Sequence, residues 1–255
     1  MFSLVEKITV ITGAGSGIGE ATANVFAKAG AQVYVVDIDE ENGNRVTDEI
    51  NAATGKARFE KLDIAQEKDC TTLIDRLLKE HRHIDVLVNN AGVGAVGTIL
   101  DSSNDDMDRL WSINVKGMYH LIKAVLPNMV ERGKGSIINM ASALGLQAME
   151  DRFVYTTTKH AVVGLTRSIA YDYGASQVRV NCICAGRVET PFVKARMAQY
   201  SDPEKFRAHL SESHAQKRMA APEEIANAAL FLAADESSFM TGSAMVVDGG
   251  YTCGK

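Results

Sequence analysis

The sequence predicts a doubly wound, parallel α/β fold, and three observations support that prediction. Short β-branched runs alternate with amphipathic helical stretches along the chain, which is the rhythm of βαβ units. Runs such as ITVIT and DVLVNN lack polar alternation, as expected of strands covered on both faces. A glycine-rich segment follows the first run directly and opens the first helix. We therefore expect about seven parallel strands flanked by helices.

Strands are predicted where β-branched residues cluster between turn residues. In chain order they are 7–12, 32–37, 58–63, 84–90, 135–142, 178–184 and 243–249. The clearest amphipathic helical stretches between them are 19–30 and 68–81. The charged segment 187–224, between the last two strands, predicts a small lid of one or two helices. Helix ends or starts are the expected positions of the four prolines, which are Pro127, Pro191, Pro203 and Pro222.

Size and composition restrict the class of protein. The 255 residues are 46% hydrophobic and 23% charged, which fits one soluble domain over 1–255. A net charge of -5 argues against a nucleic-acid or anionic-membrane partner. The N-terminal MFSLVEKITVITG lacks the apolar core of a signal peptide, and no run approaches the roughly 18 apolar residues of a membrane span.

Cysteine usage indicates a reducing compartment. Metal-site spacing is absent among the four cysteines, which are Cys70, Cys182, Cys184 and Cys253. Cys182 and Cys184 are predicted to share one face of the strand 178–184, where two small buried apolar side chains are the expected outcome. We therefore expect no metal centre and a cytoplasmic location.

The segment TGAGSGIG (12–19) predicts a phosphate-binding loop between the first strand and the first helix. Gly13, Gly17 and Gly19 allow a tight turn and a close backbone approach. The helix N-terminus then offers free N–H groups and a positive dipole end to a pyrophosphate. The spacing is TGxxxGxG and does not match GxGxxG, so a plain glycine-rich turn is the alternative.

Asp37 ends the second predicted strand and indicates which dinucleotide the loop would hold. A carboxylate there can accept hydrogen bonds from both adenosine-ribose hydroxyls of NAD, and it would repel the extra phosphate of NADP. Neither Ser16 nor Ile38 supplies a compensating cation. The alternative is a strand-end aspartate in an ordinary turn.

The stretch RFVYTTTKH (152–160) predicts a catalytic pair. Tyr155 and Lys159 lie four residues apart and therefore share one face of a helix. A free tyrosine has a pKa near 10, too high for an efficient base at neutral pH, and an adjacent ammonium would lower that pKa. Ser142 ends the fifth predicted strand and could hold a substrate oxygen near the phenol. A surface tyrosine–lysine pair is the alternative.

These motifs, in this order, resemble the short-chain dehydrogenase/reductase (SDR) family over essentially all 255 residues. The matching segments are TGAGSGIG (12–19), LDI (62–64), NNAG (89–92), IN (113–114), Ser142, YTTTK (155–159), AGRVETP (185–191) and DGG (248–250). The resemblance implies a Rossmann-like fold and, together with Asp37, NAD as cofactor. One departure is Ala185, where the family usually has proline; this change loosens the backbone but removes no functional side chain.

The resemblance also implies roles for individual residues. The catalytic tetrad is matched by Asn114, Ser142, Tyr155 and Lys159. The tetrad asparagine would hold a water that links the lysine to solvent. Asp63 would contact the adenine, Asn89 would steady the cofactor loop, and Val188 and Thr190 would contact the nicotinamide carboxamide. The full set of implied cofactor-binding residues is Gly13, Ser16, Gly17, Ile18, Asp37, Asp63, Ile64, Asn89, Ala91, Gly92, Tyr155, Lys159, Val188 and Thr190.

Three arginines suggest a substrate class. Arg152 lies at the start of the catalytic helix, where the dipole disfavours a cation, and Arg187 and Arg196 lie in the lid segment. Arginine forks suit carboxylates. DRFVYTTTK and VETPFVKAR resemble the subgroup of type 2 hydroxybutyrate dehydrogenase and 2-keto-3-deoxy sugar-acid dehydrogenases. We therefore expect a small hydroxy acid or deoxy sugar acid, bound by Ser142, Arg152, Tyr155, Arg187 and Arg196. Alternatively, these arginines pair with lid acids such as Glu189.

The expected activity is NAD-dependent interconversion of a secondary alcohol and a ketone, with tyrosine as acid and base. A 3-oxoacyl-[acyl-carrier-protein] reductase or a sugar 1-dehydrogenase would share the fold and the tetrad. The former usually prefers NADPH, against which Asp37 argues. A non-catalytic dinucleotide sensor is a third alternative, against which the complete tetrad argues. The resemblance further implies a homotetramer with interfaces at 104–131, 153–174 and 243–255.

Overall fold

Seven parallel strands form one sheet in a computed structural model that describes residues 2–198 and 202–254, except the side chains of Ala195 and Arg196. The strands are β1 (Ile8–Thr12), β2 (Gln32–Asp37), β3 (Ala57–Lys61), β4 (Val86–Asn89), β5 (Gly135–Met140), β6 (Val178–Ala185) and β7 (Ala244–Val247). The α-helices of the described residues are α1 (Gly17–Lys28), α2 (Glu40–Ala53), α3 (Glu67–His81), α4 (Asn104–Trp111), α5 (Met118–Arg132), α6 (Phe153–Tyr173), α7 (Pro191–Met197), α8 (Pro203–Glu212) and α9 (Pro222–Ala233). This architecture confirms the predicted fold class, and the element ends differ from the predicted ends by a few residues.

The strand order β3-β2-β1-β4-β5-β6-β7 creates a crevice beside β1. The chain runs outward from β1 to β3 and then crosses back to β4 on the other side of β1. In register, Val10 of β1 pairs with Tyr34 of β2 on one side and with Leu87 of β4 on the other. The segments that follow β1 and β4 diverge, and ligands of doubly wound sheets bind in the crevice so formed.

Both faces of the sheet are covered, which explains the missing polar alternation in the strands. All five residues of β1 are buried. Val10 belongs to the cluster on the face covered by α3, α5 and α6, whereas Ile11 belongs to the cluster on the opposite face, with α1, α2 and α9. Alternate side chains therefore enter two different apolar cores, and both positions must be hydrophobic.

The helical stretch after β4 contains two irregular features. A π-helical segment, Ser112–Gly117, joins α4 to α5, so the chain is helical from Asn104 to Arg132. Pro127 lies inside α5, and its predicted position at a helix end is therefore wrong. Its ring is exposed, so the Lys123 carbonyl that loses its usual N–H partner is on the solvent side of the helix. The predicted helix starts are confirmed for Pro191, Pro203 and Pro222.

The segment between β6 and α9 contains two short helices, α7 and α8, which pack against each other. Met197, Leu210 and Met219 form a buried cluster of their own, separate from the two main cores. The Val188 backbone forms a parallel bridge with Ala220, which ties the two ends of this segment together. We call the segment 187–224 the lid.

Candidate active site

The glycine loop after β1 is held close to the segment after β4. Gly13 and Gly17 have positive φ angles of 62° and 57°, which glycine adopts without strain. A β-carbon on Gly13 would lie 2.7 Å from the Ala91 Cα, too close for any side chain. Ser16 precedes α1 without making a capping hydrogen bond through its hydroxyl, so it leaves the first-turn N–H groups to other acceptors.

The loop is anchored by Asn90 and Thr12, whereas the sequence assigned this role to Asn89. The Asn90 amide donates to the carbonyls of Thr12 and Gly13, both at 3.0 Å, and Thr12 Oγ1 accepts from the backbone N–H of Asn90 at 3.0 Å. Asn89 is buried in β4 and donates to Asn139 Oδ1 at 2.9 Å. Successive side chains of an extended segment alternate in direction, so the neighbouring asparagine reaches the loop.

A cavity of about 400 Å³ follows the ends of β1, β2 and β4, and we call it the glycine-loop cleft. It brings together most of the residues predicted to bind a cofactor, namely Gly13, Ser16, Gly17, Ile18, Asp37, Asp63, Ile64, Ala91, Gly92, Tyr155, Lys159 and Thr190. Asn89 does not line it, and Val188 lines the neighbouring cavity instead. A β-carbon on Gly17 would lie 3.1 Å from Thr190 Cγ2, so the lid contacts the glycine loop directly.

Asp37 lies at the far end of this cleft with its carboxylate held by the backbone. Asp37 Oδ2 accepts from the Gly15 N–H at 2.8 Å, and Oδ1 accepts from the Asp39 N–H at 3.0 Å. Each carboxylate oxygen retains a lone pair for ribose hydroxyls. The cleft thus offers a carboxylate for a ribose, an open helix N-terminus for phosphates and glycines where the backbone must approach closely. This donor set fits a dinucleotide.

Asn114 occupies the π-helical segment and is completely buried. Its Oδ1 accepts from the Val93 N–H at 2.8 Å, while Nδ2 donates to the Val93 carbonyl at 2.9 Å and to Thr158 Oγ1 at 3.2 Å. π-helical turns inside α-helices are frequent at functional sites. Here the segment directs Asn114 at the strip of backbone that floors the cleft beside Gly92, and it links that strip to α6.

Tyr155, in the first turn of α6, lines both the cleft and the cavity next to it. Burial raises the pKa of its phenol, while the Ser142 side chain, through its hydrogen bond, and the nearby Arg152 cation lower that pKa. Ser142, just after β5, is held by a hydrogen bond of 3.1 Å from the Leu144 N–H to its Oγ. Burial outweighs these two groups, so the pKa of Tyr155 is raised overall, and the hydroxyl and the guanidinium offset only part of that effect.

Lys159 lies one turn further along α6, on the cleft side of the phenol. Its ammonium donates to the Met140 carbonyl at 2.7 Å and lies 5.6 Å from the centre of the Tyr155 ring. Burial lowers the pKa of Lys159 to about 8. The sequence predicted that the lysine lowers the pKa of the phenol. The structure adds that burial lowers the pKa of the lysine itself.

A second cavity of about 450 Å³, the lid pocket, opens beside Tyr155 under the lid. Arg152 and Arg187 line it together with Ser142, so three of the predicted substrate-binding side chains share one pocket with Tyr155. The side chain of Arg196 lies outside the described residues. The remaining wall of the pocket is largely apolar and includes Val96, Ala143, Leu144, Met149, Phe192 and Val193.

Arg187 is held among residues that the sequence did not single out. Its guanidinium lies 5.9 Å from the centre of the Tyr251 ring and 3.6 Å from Met149 Sδ. Its backbone N–H donates to His214 Nε2 at 3.1 Å. His214 is buried, which lowers the pKa of its imidazole, and its ring lies against Tyr251. These residues follow three different elements, so no local pattern could have grouped them.

The predicted ion pair of the lid involves a different arginine. Glu189 pairs with Arg207 of α8, not with Arg187. Arg152 contacts its own segment, where its Nη1 donates to the Asp151 carbonyl at 2.6 Å. The lid acid Glu189 thus has a partner of its own.

In 2–198 and 202–254, no group of three or more His, Cys, Asp or Glu side chains could hold a metal ion. None of the helices in these ranges is long and apolar enough to cross a membrane. All four cysteines are free, and Cys182 and Cys184 are buried in β6, which confirms their prediction as small core residues.

This fold and cleft define a dinucleotide-binding protein of the doubly wound α/β class. A family model described as enoyl-(acyl carrier protein) reductase matches residues 13–252. The chain is 40% identical over 252 residues to dehydrogenase/reductase SDR family member 6 of Danio rerio, covering 98% of this chain and 99% of the relative. The chain belongs to the short-chain dehydrogenase/reductase family and is an oxidoreductase.

Solved structures agree with this assignment. Levodione reductase superposes with a TM-score of 0.95 at 29% identity, over 98% of this chain and 99% of the other. A protein described as an NAD(P)-dependent gluconate 5-dehydrogenase from Beutenbergia cavernae, solved with NADP at low occupancy, has a TM-score of 0.92 at 33% identity, over 99% of each chain. The second of these proteins therefore binds a nicotinamide dinucleotide within this fold.

Proposed function

We propose that this protein is an NAD(H)-dependent oxidoreductase that interconverts a secondary alcohol and a ketone. The observation that carries the proposal is the position of Tyr155, which lines both cavities. Lys159 lines the cleft and Ser142 lines the lid pocket. Nicotinamide, when bound, takes or supplies the hydride. The phenol lies at the junction where it can exchange a proton with a substrate oxygen in the lid pocket.

The tetrad residues have distinct proposed roles. Tyr155 is the acid and base, and Ser142 holds the substrate oxygen beside it. Lys159 has a pKa of about 8, which lets its ammonium release and regain a proton near neutral pH. Asn114 has both amide hydrogens engaged, with Val93 and Thr158. A relay water at Asn114 would therefore have to donate to one of its oxygen atoms.

NAD(H) is proposed over NADP(H) because of Asp37. Its two oxygens are fixed by backbone N–H groups, so the carboxylate cannot turn away from the ribose without losing both bonds. A 2′-phosphate placed beside this anion would be repelled. The NADP found in the gluconate 5-dehydrogenase structure belongs to that protein and makes the choice of dinucleotide worth measuring directly.

The proposed substrate is a small hydroxy acid or deoxy sugar acid. Arg152 and Arg187 supply two cations to a pocket whose remaining wall is mostly apolar. Two guanidinium groups in such surroundings suit a carboxylate, since paired charge-assisted hydrogen bonds gain strength in an apolar setting. The proposal places the protein near the type 2 hydroxybutyrate dehydrogenase and 2-keto-3-deoxy sugar-acid dehydrogenase subgroup. The neighbour described as a gluconate 5-dehydrogenase acts on a sugar acid by its name.

The competing activities differ in what the pocket must hold. A 3-oxoacyl-[acyl-carrier-protein] reductase needs an open path for a carrier arm, and a sugar 1-dehydrogenase needs hydroxyl partners rather than cations. A non-catalytic sensor would bind the dinucleotide and turn over no carbonyl. The two arginines favour an acid substrate over the first two alternatives, and the complete tetrad argues against the sensor.

The assembly and location are also proposals. We propose a homotetramer in the cytoplasm, with the segments 104–131, 153–174 and 243–255 at its interfaces. Trp111 and Tyr119 of the first segment are 39% and 45% exposed in the single chain, as expected of side chains that a second subunit covers. The four free thiols suit a reducing compartment.

The test is a matched panel assayed with NAD⁺ and NADP⁺ through nicotinamide absorbance. The panel contains hydroxy acids and sugar acids, their neutral amides or lactones, free sugars and simple secondary alcohols. We expect turnover of acids with NAD⁺. Arg152→Met and Arg187→Met should each lower kcat/KM on the best acid by at least about tenfold and on its neutral partner by much less. Arg76→Met, in a surface ion pair with Glu60, is the matched control.

The outcomes separate the parts of the proposal. Turnover mainly of neutral sugars or apolar alcohols would refute the acid substrate but keep the reaction class. Equal losses on acid and neutral substrates would assign the arginines a structural role. Dinucleotide binding without turnover of any panel member would favour the sensor.

A further inference from the structure

A cation that the sequence did not indicate lies beside the proposed ribose site. Arg45 projects from α2 and its Nη2 donates to the Gly15 carbonyl at 3.2 Å. The N–H of the same glycine donates to Asp37 Oδ2 at 2.8 Å. Gly15 therefore binds two charged side chains. Its carbonyl accepts from Arg45, and its N–H donates to Asp37, the residue proposed to discriminate between NAD(H) and NADP(H). A β-carbon on Gly15 would lie 3.0 Å from Asp37 Oδ2, so this contact is tight.

Two carboxylates neutralise this cation. Arg45 makes a two-pronged contact with Glu20 of α1, at 2.9 and 3.1 Å, and a third hydrogen bond of 3.0 Å with Glu49 one turn along α2. These hydrogen bonds raise the pKa of Arg45 further above its already high value, with Glu20 as the largest cause. A guanidinium with two acidic partners and a carbonyl has its donors directed away from any further anion.

We infer that Arg45 is a latent 2′-phosphate ligand, and that Glu20 acts with Asp37 as a selectivity residue that keeps it neutralised. The inference rests on the proposed use of NAD(H) and deepens it. Removing Asp37 alone would remove the repulsion but leave Arg45 bound to two acids. Releasing Arg45 from Glu20 as well would leave it one acidic partner, Glu49 at Nη1. Its Nη2, beside Gly15, would then have a hydrogen available for a phosphate, which would gain a charge-assisted partner.

The test measures binding and needs no substrate. Dissociation constants for NADH and NADPH are measured by nicotinamide fluorescence for the wild type, Asp37→Ser, Asp37→Ser/Glu20→Gln and a triple variant that adds Arg45→Met. We expect Asp37→Ser/Glu20→Gln to bind NADPH at least about tenfold more tightly than Asp37→Ser does, because one charged hydrogen bond contributes that much. The triple variant should lose this gain, and added salt should weaken it.

The control has the same change in net charge at a distant site. Asp235→Asn, combined with Asp37→Ser, removes an acid that pairs with Lys7. Lys7 directly precedes β1, so this pair lies at the amino ends of the strands, whereas the cleft lies at their carboxyl ends. We expect the control variant to bind NADPH as Asp37→Ser alone does. Melting temperatures of all variants show whether each one is folded, and NADH binding by the double variant should equal that of Asp37→Ser if the cleft is intact.

Each outcome decides one question. If the wild type binds neither dinucleotide, the proposed function fails, and if it prefers NADPH, the proposed NAD(H) selectivity fails with the inference. If the wild type prefers NADH but Glu20→Gln adds nothing in the Asp37→Ser background, only the inference is overturned. An equal NADPH gain with Asp235→Asn would also overturn it, since net charge would then explain the effect.

Discussion

The glycine-loop cleft and the lid pocket meet at Tyr155 but are lined by different kinds of groups, backbone in the first and side chains in the second. The cleft is formed largely by glycines and by backbone donors and acceptors after β1 and β4, with short anchors such as Thr12 and Asn90. The lid pocket is formed by long side chains from separate segments, including Arg152, Arg187 and Tyr251. A backbone site can be kept while side chains vary, so one cofactor cleft can serve many substrates.

The sharpest way to separate the two cavities is to remove the phenolic oxygen at their junction. Tyr155→Phe deletes the proposed acid and base while leaving the glycine loop unchanged. We expect kcat on the best alcohol substrate to fall by about 10²–10⁴-fold, the usual contribution of acid–base catalysis. NADH affinity, measured by fluorescence, should change little. A variant that keeps most of its turnover would show that another group exchanges the proton.

A methyl group in the glycine loop should damage the cleft rather than the lid pocket. A β-carbon on Gly19 would lie 2.0 Å from the Gly13 carbonyl oxygen and 2.6 Å from Asn90 Nδ2. We expect Gly19→Ala to lower the free energy of unfolding by about 1–3 kcal/mol, as overpacking does, and to weaken dinucleotide binding. Urea unfolding and NADH fluorescence check both effects.

Gly174→Ala is the matched control, because a β-carbon on Gly174 meets no heavy atom within 4 Å and its φ of -59° suits alanine. Equal destabilisation by the two alanines would refute the packing explanation for the glycine loop.

The effect of Lys159, in the cleft, on the free energy of unfolding depends on pH. Its pKa is about 8 in the folded chain, below the usual 10.5, so folding is opposed while the lysine is protonated in both states. That cost is complete below pH 8 and disappears as pH rises towards 10.5. We expect Lys159→Met to stabilise the cofactor-free protein by about 1–3 kcal/mol at pH 7, and less at pH 9.5.

Urea titrations of both proteins at the two pH values measure this effect. Lys123→Met, at an exposed ion pair with Glu67, is the control. A stability difference that does not shrink with rising pH would rule out the buried ammonium as its source.

The smallest expected effect concerns the support of Arg187. His214→Leu removes the acceptor of the Arg187 N–H and leaves that donor without its imidazole partner. We expect a loss of about 1–2 kcal/mol in unfolding free energy. KM for an acid substrate should rise while kcat changes little, since His214 does not line the lid pocket.

His209→Leu, at an exposed position of α8, is the control for this substitution. A fall in kcat without a change in KM would contradict a positioning role for His214.

The sequence by itself determined the fold class, a parallel doubly wound sheet of about seven strands, and the positions of the glycine loop and the tyrosine–lysine pair. These features depend on local patterns: apolar runs covered on both faces, glycines at a strand-to-helix turn and a four-residue helical spacing. The role predicted for Asn89 belongs to Asn90 in the structure. It shows the limit of such patterns, because a step of one residue along a strand end reverses the direction of the side chain. Pro127 shows a second limit, since helix α5 continues through it on its solvent side.

Only the tertiary structure decided which long side chains meet. Tyr251, Met149 and His214 surround Arg187, and Glu20 of α1 binds Arg45 of α2. Each of these groups comes from a different element, so its partner depends on how helices and loops pack, not on spacing along the chain. Local periodicity identifies the faces of strands and helices, whereas side-chain partners across elements are fixed by packing in three dimensions.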